Sequence, residues 1–355
     1  MPKSPRSRVV VCPDCSNLTR RDFLRTTAAG VAGVTAAASG IISVGATPRL
    51  AGAAEAAKAA GPASETLAAQ FFKSLTDEQK KSICFPFDHP LRSKVDNNWF
   101  IVDKSIQELL KPDQQQLVHD IFMSMHSEEY APKVLKQVED DNKEDGGFKR
   151  CAVACFGEPG DGGKGKFEFV FTGRHVTRRC DGNSVEGEAF GGPIFYGHAA
   201  EGFNESAQHR GNIYWYQALQ ANEVFKALDG KQRDLALSPT PRPERKTETV
   251  KLSGRKEGLS GIPLSELSKD QKGLVRKVMD DLLAPFRKTD ADKALALIEA
   301  GGMDNLHMTF YTGKYDIGND GVWDVWQLEG PSMVWYFRGA PHVHTWVHIR
   351  EPEKA

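Results

Sequence analysis

An α+β fold, with an antiparallel sheet that finishes in a C-terminal meander and packs against several amphipathic helices, is what the residue pattern predicts. Three observations carry this. Apolar residues recur at helical spacing behind helix-start phrases up to about residue 145. At Gly146-Gly147 the period changes to alternating, strand-like runs, and four such runs separated by glycine or proline end the chain. With 355 residues, 40% hydrophobic and 26% charged, the chain is long enough for one large or two ordinary domains and has a globular composition.

The formal net charge of −1 hides an asymmetry. Through Ala53 there are seven basic residues against two acidic, so this segment is +5 and the remainder −6, which gives nucleic-acid binding by the main body no electrostatic support. Thr19-Arg20-Arg21-Asp22-Phe23-Leu24-Arg25 is a twin-arginine export signature, followed by an uncharged, moderately apolar run from Ala28 to Val44 and small-residue cleavage sites. Residues 1–53 are therefore expected to be a cleavable signal that engages the twin-arginine translocase. The mature chain is then periplasmic or extracellular without a stable membrane span; an uncleaved anchor is the alternative. Cys12-Pro13-Asp14-Cys15 has metal-knuckle spacing but lies within this segment and has no second pair nearby.

Residues 54–64 read as a flexible lead-in, and 65–355 as a single α+β domain: helical over 65–145, mixed over 146–302, and a β-meander over 303–350. Helix-start phrases stand at Thr76-Asp77-Glu78-Gln79, Lys111-Pro112-Asp113-Gln114, Asp229-Gly230-Lys231-Gln232 and Ser268-Lys269-Asp270-Gln271. Because their intervals are irregular, helix-start chemistry explains the recurrence better than duplication. Arg150–Phe156 and Lys166–Thr177 read as a hairpin with a glycine-rich joint. That joint matches most of a phosphate loop, but Phe167 stands where Ser or Thr is needed and a strand follows where a helix is required, which excludes nucleotide binding. Phe167, Phe169 and Phe171 share one strand face, and continuing the alternation puts His175 on it. Gly191–His198 reads as an aromatic loop. A polar stretch from Pro239 to Gly261 is an excursion from the domain. Of the cysteines Cys84, Cys151, Cys155 and Cys180, the second and third are too far apart along one strand to bridge, and buried thiols are expected.

The last strand, Pro341-His342-Val343-His344-Thr345-Trp346-Val347-His348, holds the main chemical signal. Alternate side chains share a face, so His342, His344 and His348 lie on one side and Val343, Thr345, Val347 and Ile349 on the other, which reads as core. Two imidazoles one residue apart, roughly 6 to 7 Å between Cα atoms, can converge on one ion with a ligand from a neighbouring strand. Ordinary polar contacts at a sheet edge are the competing reading.

Gly173-Arg174-His175-Val176-Thr177, Gly192-Pro193-Ile194-Phe195, Gly330-Pro331 and His342-Val343-His344-Thr345 together resemble an uncharacterised bacterial family, the domain of unknown function numbered thirty-five hundred, many of whose members carry export signals. That family usually has His-His where this chain has Arg174-His175, and an arginine at the position of His348, with Arg350 nearby. The resemblance implies that these histidines belong together and implies no substrate. The expected centre is one zinc, copper or iron ion held by His175, His342 and His344, with His198 or His348 as an extra ligand or acid–base group and Arg174 or Arg350 binding an anionic small-molecule substrate. The competing class is a non-catalytic exported protein that binds a small molecule or metal. Neither a Gly-x-Ser-x-Gly elbow nor a His-Glu-x-x-His helix is present.

Overall fold

The structure is a computed structural model that describes residues 63–352, apart from 200–208, 210, 314–316 and 319. The export segment, most of the lead-in and the Cys12/Cys15 pair lie outside the described residues. Among the described residues, eleven strands form one mostly antiparallel sheet, which makes the fold α+β. In chain order they are β1 (Cys84–Phe85), β2 (Ala152–Gly157), β3 (Phe167–Gly173), β4 (Val176–Cys180), β5 (Ile194–His198), β6 (Leu237–Ser238), β7 (Ile262–Pro263), β8 (His307–Tyr311), β9 (Val325–Glu329), β10 (Met333–Arg338) and β11 (Val343–Ile349). The sheet order is β1-β2-β3-β4-β5-β11-β10-β9-β8-β6, with β7 on β8. The helices are α1 (Ser64–Ser74), α2 (Asp77–Ile83), α3 (Ile106–Leu109), α4 (Pro112–Ser124), α5 (Ala131–Asp141), α6 (Trp215–Ala227), α7 (Gly230–Ala236), α8 (Lys269–Leu283) and α9 (Lys288–Ala300).

The C-terminal meander is as expected, antiparallel from β8 to β11. Val343, Val347 and Ile349 enter the core built by α6, α8 and α9, while Trp346 packs with Phe195, Val334 and Tyr336 on the opposite face. Two readings are corrected. Lys166–Thr177 is not one strand: β3 stops at Gly173, Arg174-His175 forms a two-residue turn, and β4 starts at Val176. Gly173 permits the close packing there, since a Cβ would fall 2.5 Å from the Cys151 sulfur. Gly191–His198 is not only a loop. Its second half is β5, which lies mid-sheet against β11.

The recurring helix starts mark more than cap chemistry. Each half of the chain runs a helix, a short capped helix, a two-residue strand, a second capped helix, another helix and a four-strand meander: α1, α2, β1, α4, α5, β2–β5, then α6, α7, β6, α8, α9, β8–β11. β1 lies parallel to β2 at Cys84↔Cys155, and β6 parallel to β8 at Leu237↔Phe310. Gln79 and Gln114 exchange amide hydrogen bonds of 2.8 and 2.9 Å, and Gln232 and Gln271 do so at 3.1 and 2.7 Å. Even their further partners correspond. Gln114 and Gln271 each donate to the last turn of the first helix of their half, at Ser74 O and Ala227 O. The sheet order reverses at β5–β11, so each half contributes its four-strand meander in mirrored order to either side of that seam. The expectation that helix-start chemistry alone explains the recurrence is therefore corrected. It failed because loop lengths differ (Gln79 to Gln114 spans 35 positions, Gln232 to Gln271 spans 39) and the shared contacts are between residues far apart in sequence.

Candidate metal centre

The seam between the halves is where the histidines meet. β11 pairs with β5 so that His344 lies opposite Gly197 and Val343 opposite His198. A Cβ at Gly197 would fall 2.3 Å from the Val343 carbonyl oxygen and 3.4 Å from the His175 ring, so only glycine lets the turn and strand close together. His175 sits in the β3–β4 turn with φ 56°, a left-handed conformation that costs a non-glycine residue on the order of 1 kcal/mol. It is held there because its N–H donates to Asn97 O (2.9 Å) and its carbonyl accepts from Gly197 N–H (3.1 Å). The strain places an imidazole where a strand residue would not reach.

His175, His342 and His344 are all buried and bring one ring nitrogen each within 4.8 Å of the others, close enough to bind one metal ion. His344 Nε2 stands 2.9 Å from His342 Nε2 and 3.3 Å from His175 Nε2. Nitrogens bonded to one metal at about 2.0–2.1 Å stand roughly 3 Å apart, so these separations suit a shared ion. The opposite ring nitrogens decide the tautomers. His175 Nδ1 is 2.7 Å from Asp141 Oδ2, and His344 Nδ1 is 2.6 Å from Glu244 Oε2. An ionised carboxylate only accepts, so each Nδ1 carries a proton, and in the neutral ring each Nε2 presents a lone pair. Two lone pairs facing each other at 3.3 Å repel, and a cation between them removes the conflict. Burial, followed by the nearby charges of Arg338, His175 and Arg174, pushes the His344 pKa well below 6.5, so the ring is a neutral base at ordinary pH.

Both carboxylates are themselves braced. Asp141 Oδ1 accepts from Ala199 N–H at 3.1 Å, and Glu244 also accepts from Arg338 Nε. Sequence reasoning missed both. Asp141 ends α5 in a charged run read only as a helix terminus, and Glu244 lies in the polar excursion. The usual pairing of a metal-ligating histidine with a carboxylate says that such residues should exist, but with 47 acidic residues it does not say which.

The other candidates are not among the three converging rings. His198 is buried at the end of β5, its Nδ1 3.8 Å from Asp141 Oδ1, and stacks on His209. His348 is in phase with His344 but four residues further along β11, about 13 Å away. There its Nε2 meets Glu188 Oε1 at 2.7 Å and its Nδ1 meets Val250 O at 3.0 Å, and the backbone of Arg350 bridges Glu188 beside it. Arg174 precedes His175 in the turn, half-buried.

The fold and site thus define an α+β protein with a buried triad of histidines, able to bind a metal, at the seam of two similar halves. Residues 58–354 match the model of the family described as Protein of unknown function (DUF3500), and the chain belongs to that family. No curated protein and no solved structure matches it.

Proposed function

We propose that the protein is an exported metal-dependent enzyme, a hydrolase or an oxidoreductase, that holds one zinc, copper or iron ion on His175, His342 and His344. The single observation that supports this best is the facing of the His175 and His344 lone pairs at 3.3 Å, each enforced by a carboxylate on the far side of its ring. Three protein ligands leave coordination open, and a metal so held supplies Lewis acidity or, as copper or iron, redox chemistry. Asp141 and Glu244 orient the rings and raise their basicity. His198, beside the second oxygen of Asp141, is the candidate group to move a proton at the site. Export rests on the twin arginines of Thr19–Arg25.

Burial of all three ligands also suits a non-catalytic metal-binding protein. Elemental analysis of protein purified from its native compartment tests the shared premise. One equivalent of metal is expected in the wild type and none in His342→Ala/His344→Ala. Metal-free wild type, or a double variant with full metal content, refutes it. Turnover assays on the loaded protein then separate enzyme from binder.

A further inference from the structure

We infer that Arg174 is an oxyanion-recognition residue of this site, so that the substrate carries a carboxylate or phosphate next to the group that meets the histidines; the inference rests on the metal reading above. Three observations converge on it. First, Arg174 differs from the other charged groups described around the triad, which are committed to one another. Asp141 is taken by His175 and Ala199, Glu244 by His344 and Arg338, whereas Arg174 has no carboxylate partner among the described residues, and its Nε is buried without a hydrogen bond. A guanidinium whose Nε has lost water without gaining a partner is under-satisfied, and a bound anion would supply the missing acceptor.

Second, the residue is held in place. Its N–H donates to Asn142 Oδ1 (3.3 Å), its carbonyl accepts from Asn142 Nδ2 (3.5 Å), and its backbone bridges Asn98, so the root of the side chain is fixed on both sides. Asn142 in turn follows Asp141, the residue that orients His175. Third, Arg174 is adjacent in sequence to a ligand, within about 3.8 Å between Cα atoms, and its positive charge is among those that act on the buried His344 ring. Its charge is therefore close enough to the triad to act on it. With a divalent ion bound, two cationic side chains and two carboxylates leave the site with an excess of positive charge, and a planar guanidinium fork matches the paired oxygens of a carboxylate or phosphate.

The test uses full-length protein loaded with cobalt(II), whose visible spectrum reports on its ligands, titrated separately with acetate and with inorganic phosphate. The wild type is expected to bind at least one of them with a spectral change, and whichever binds more tightly names the anion class. Arg174→Gln should retain one equivalent of cobalt and weaken that binding about 10- to 100-fold, as loss of a charge-assisted hydrogen bond implies, with Arg174→Lys in between. Because the Arg174 side chain makes no hydrogen bond among the described residues, neither variant should unfold, and circular dichroism checks this. Cobalt bound with equal anion affinity in wild type and Arg174→Gln, or no anion bound by the cobalt-loaded wild type, overturns this inference alone. A wild type that retains no cobalt overturns the metal reading and this inference with it.

Discussion

Asp141→Asn is the sharpest perturbation of the site, because it changes one charge and almost no volume. In the native protein Asp141 Oδ2 accepts the Nδ1 proton of His175 at 2.7 Å while Oδ1 accepts from Ala199 N–H at 3.1 Å. Asparagine keeps one acceptor. If its carbonyl stays on Ala199, its NH2 faces His175, and the ring must then accept at Nδ1 and carry its proton on Nε2, the atom aimed at His344. The ligand is lost or must be paid for by breaking the Ala199 bond. Loss of a carboxylate that orients a ligating histidine weakens metal affinity 10- to 100-fold, about 1.4–2.7 kcal/mol. Glu244→Gln should act similarly through His344, whose Nδ1 lies 2.6 Å from Glu244 Oε2. Glu188→Gln, which disturbs only the 2.7 Å contact to His348, should leave affinity unchanged. Competition with a chromophoric chelator, alongside circular dichroism, reads all three. A folded Asp141→Asn protein with wild-type metal affinity would refute the proposed role of the carboxylate, and an equal loss in Glu188→Gln would show that the effect is not local.

Acid should destabilise the protein through His126, which accepts from Arg178 Nε at 3.0 Å and whose pKa burial and Arg178 lower from 6.5 to about 3. The unfolded chain takes up this proton first as pH falls, so stability is complete above about 6.5 and declines by about 1.4 kcal/mol per unit towards 3. In denaturant titrations across that range, His126→Gln should have a shallower pH slope than the wild type, and identical slopes would count against the assignment. Gln114→Leu removes the buried amide exchange with Gln79 and leaves Ser74 O without its donor, which should cost about 1–3 kcal/mol. Gln271→Leu, at the equivalent but more exposed pair, should cost less by chemical denaturation, and the reverse order would contradict the burial argument. Among the thiols, Cys84 is half-buried and its pKa is lowered by the hydrogen bond from Cys155, while burial pushes Cys151 and Cys180 up. Iodoacetamide on native protein should therefore label Cys84 first in mass-spectrometric mapping, and early labelling of Cys151 would show the core to be open.

What could be read along the chain followed from local rules. Period-two alternation placed His344 and His348 on one face of β11 and Val343, Val347 and Ile349 in the core, and the cap phrases at Thr76, Asp229 and Ser268 do start helices. The family motifs named His175, His342 and His344, the three rings that converge. Their convergence, and everything that makes it chemically useful, depends on contacts between distant positions. His175 reaches the site from a turn and not from a strand face, because Asn97 and Gly197 hold its backbone in a left-handed conformation. His348, in phase by alternation, is carried away by the strand rise and paired with Glu188. Asp141, 34 positions before His175, and Glu244, 100 positions before His344, become orienting groups only when α5 and the excursion fold against the seam. The structural repeat was hidden for the same reason, since its evidence is Gln79 meeting Gln114 as Gln232 meets Gln271. Hydrophobic period and cap chemistry act over a few residues and are written locally. Proton placement on an imidazole is set by whichever carboxylate lies within hydrogen-bond reach, and only the packed chain determines which one that is.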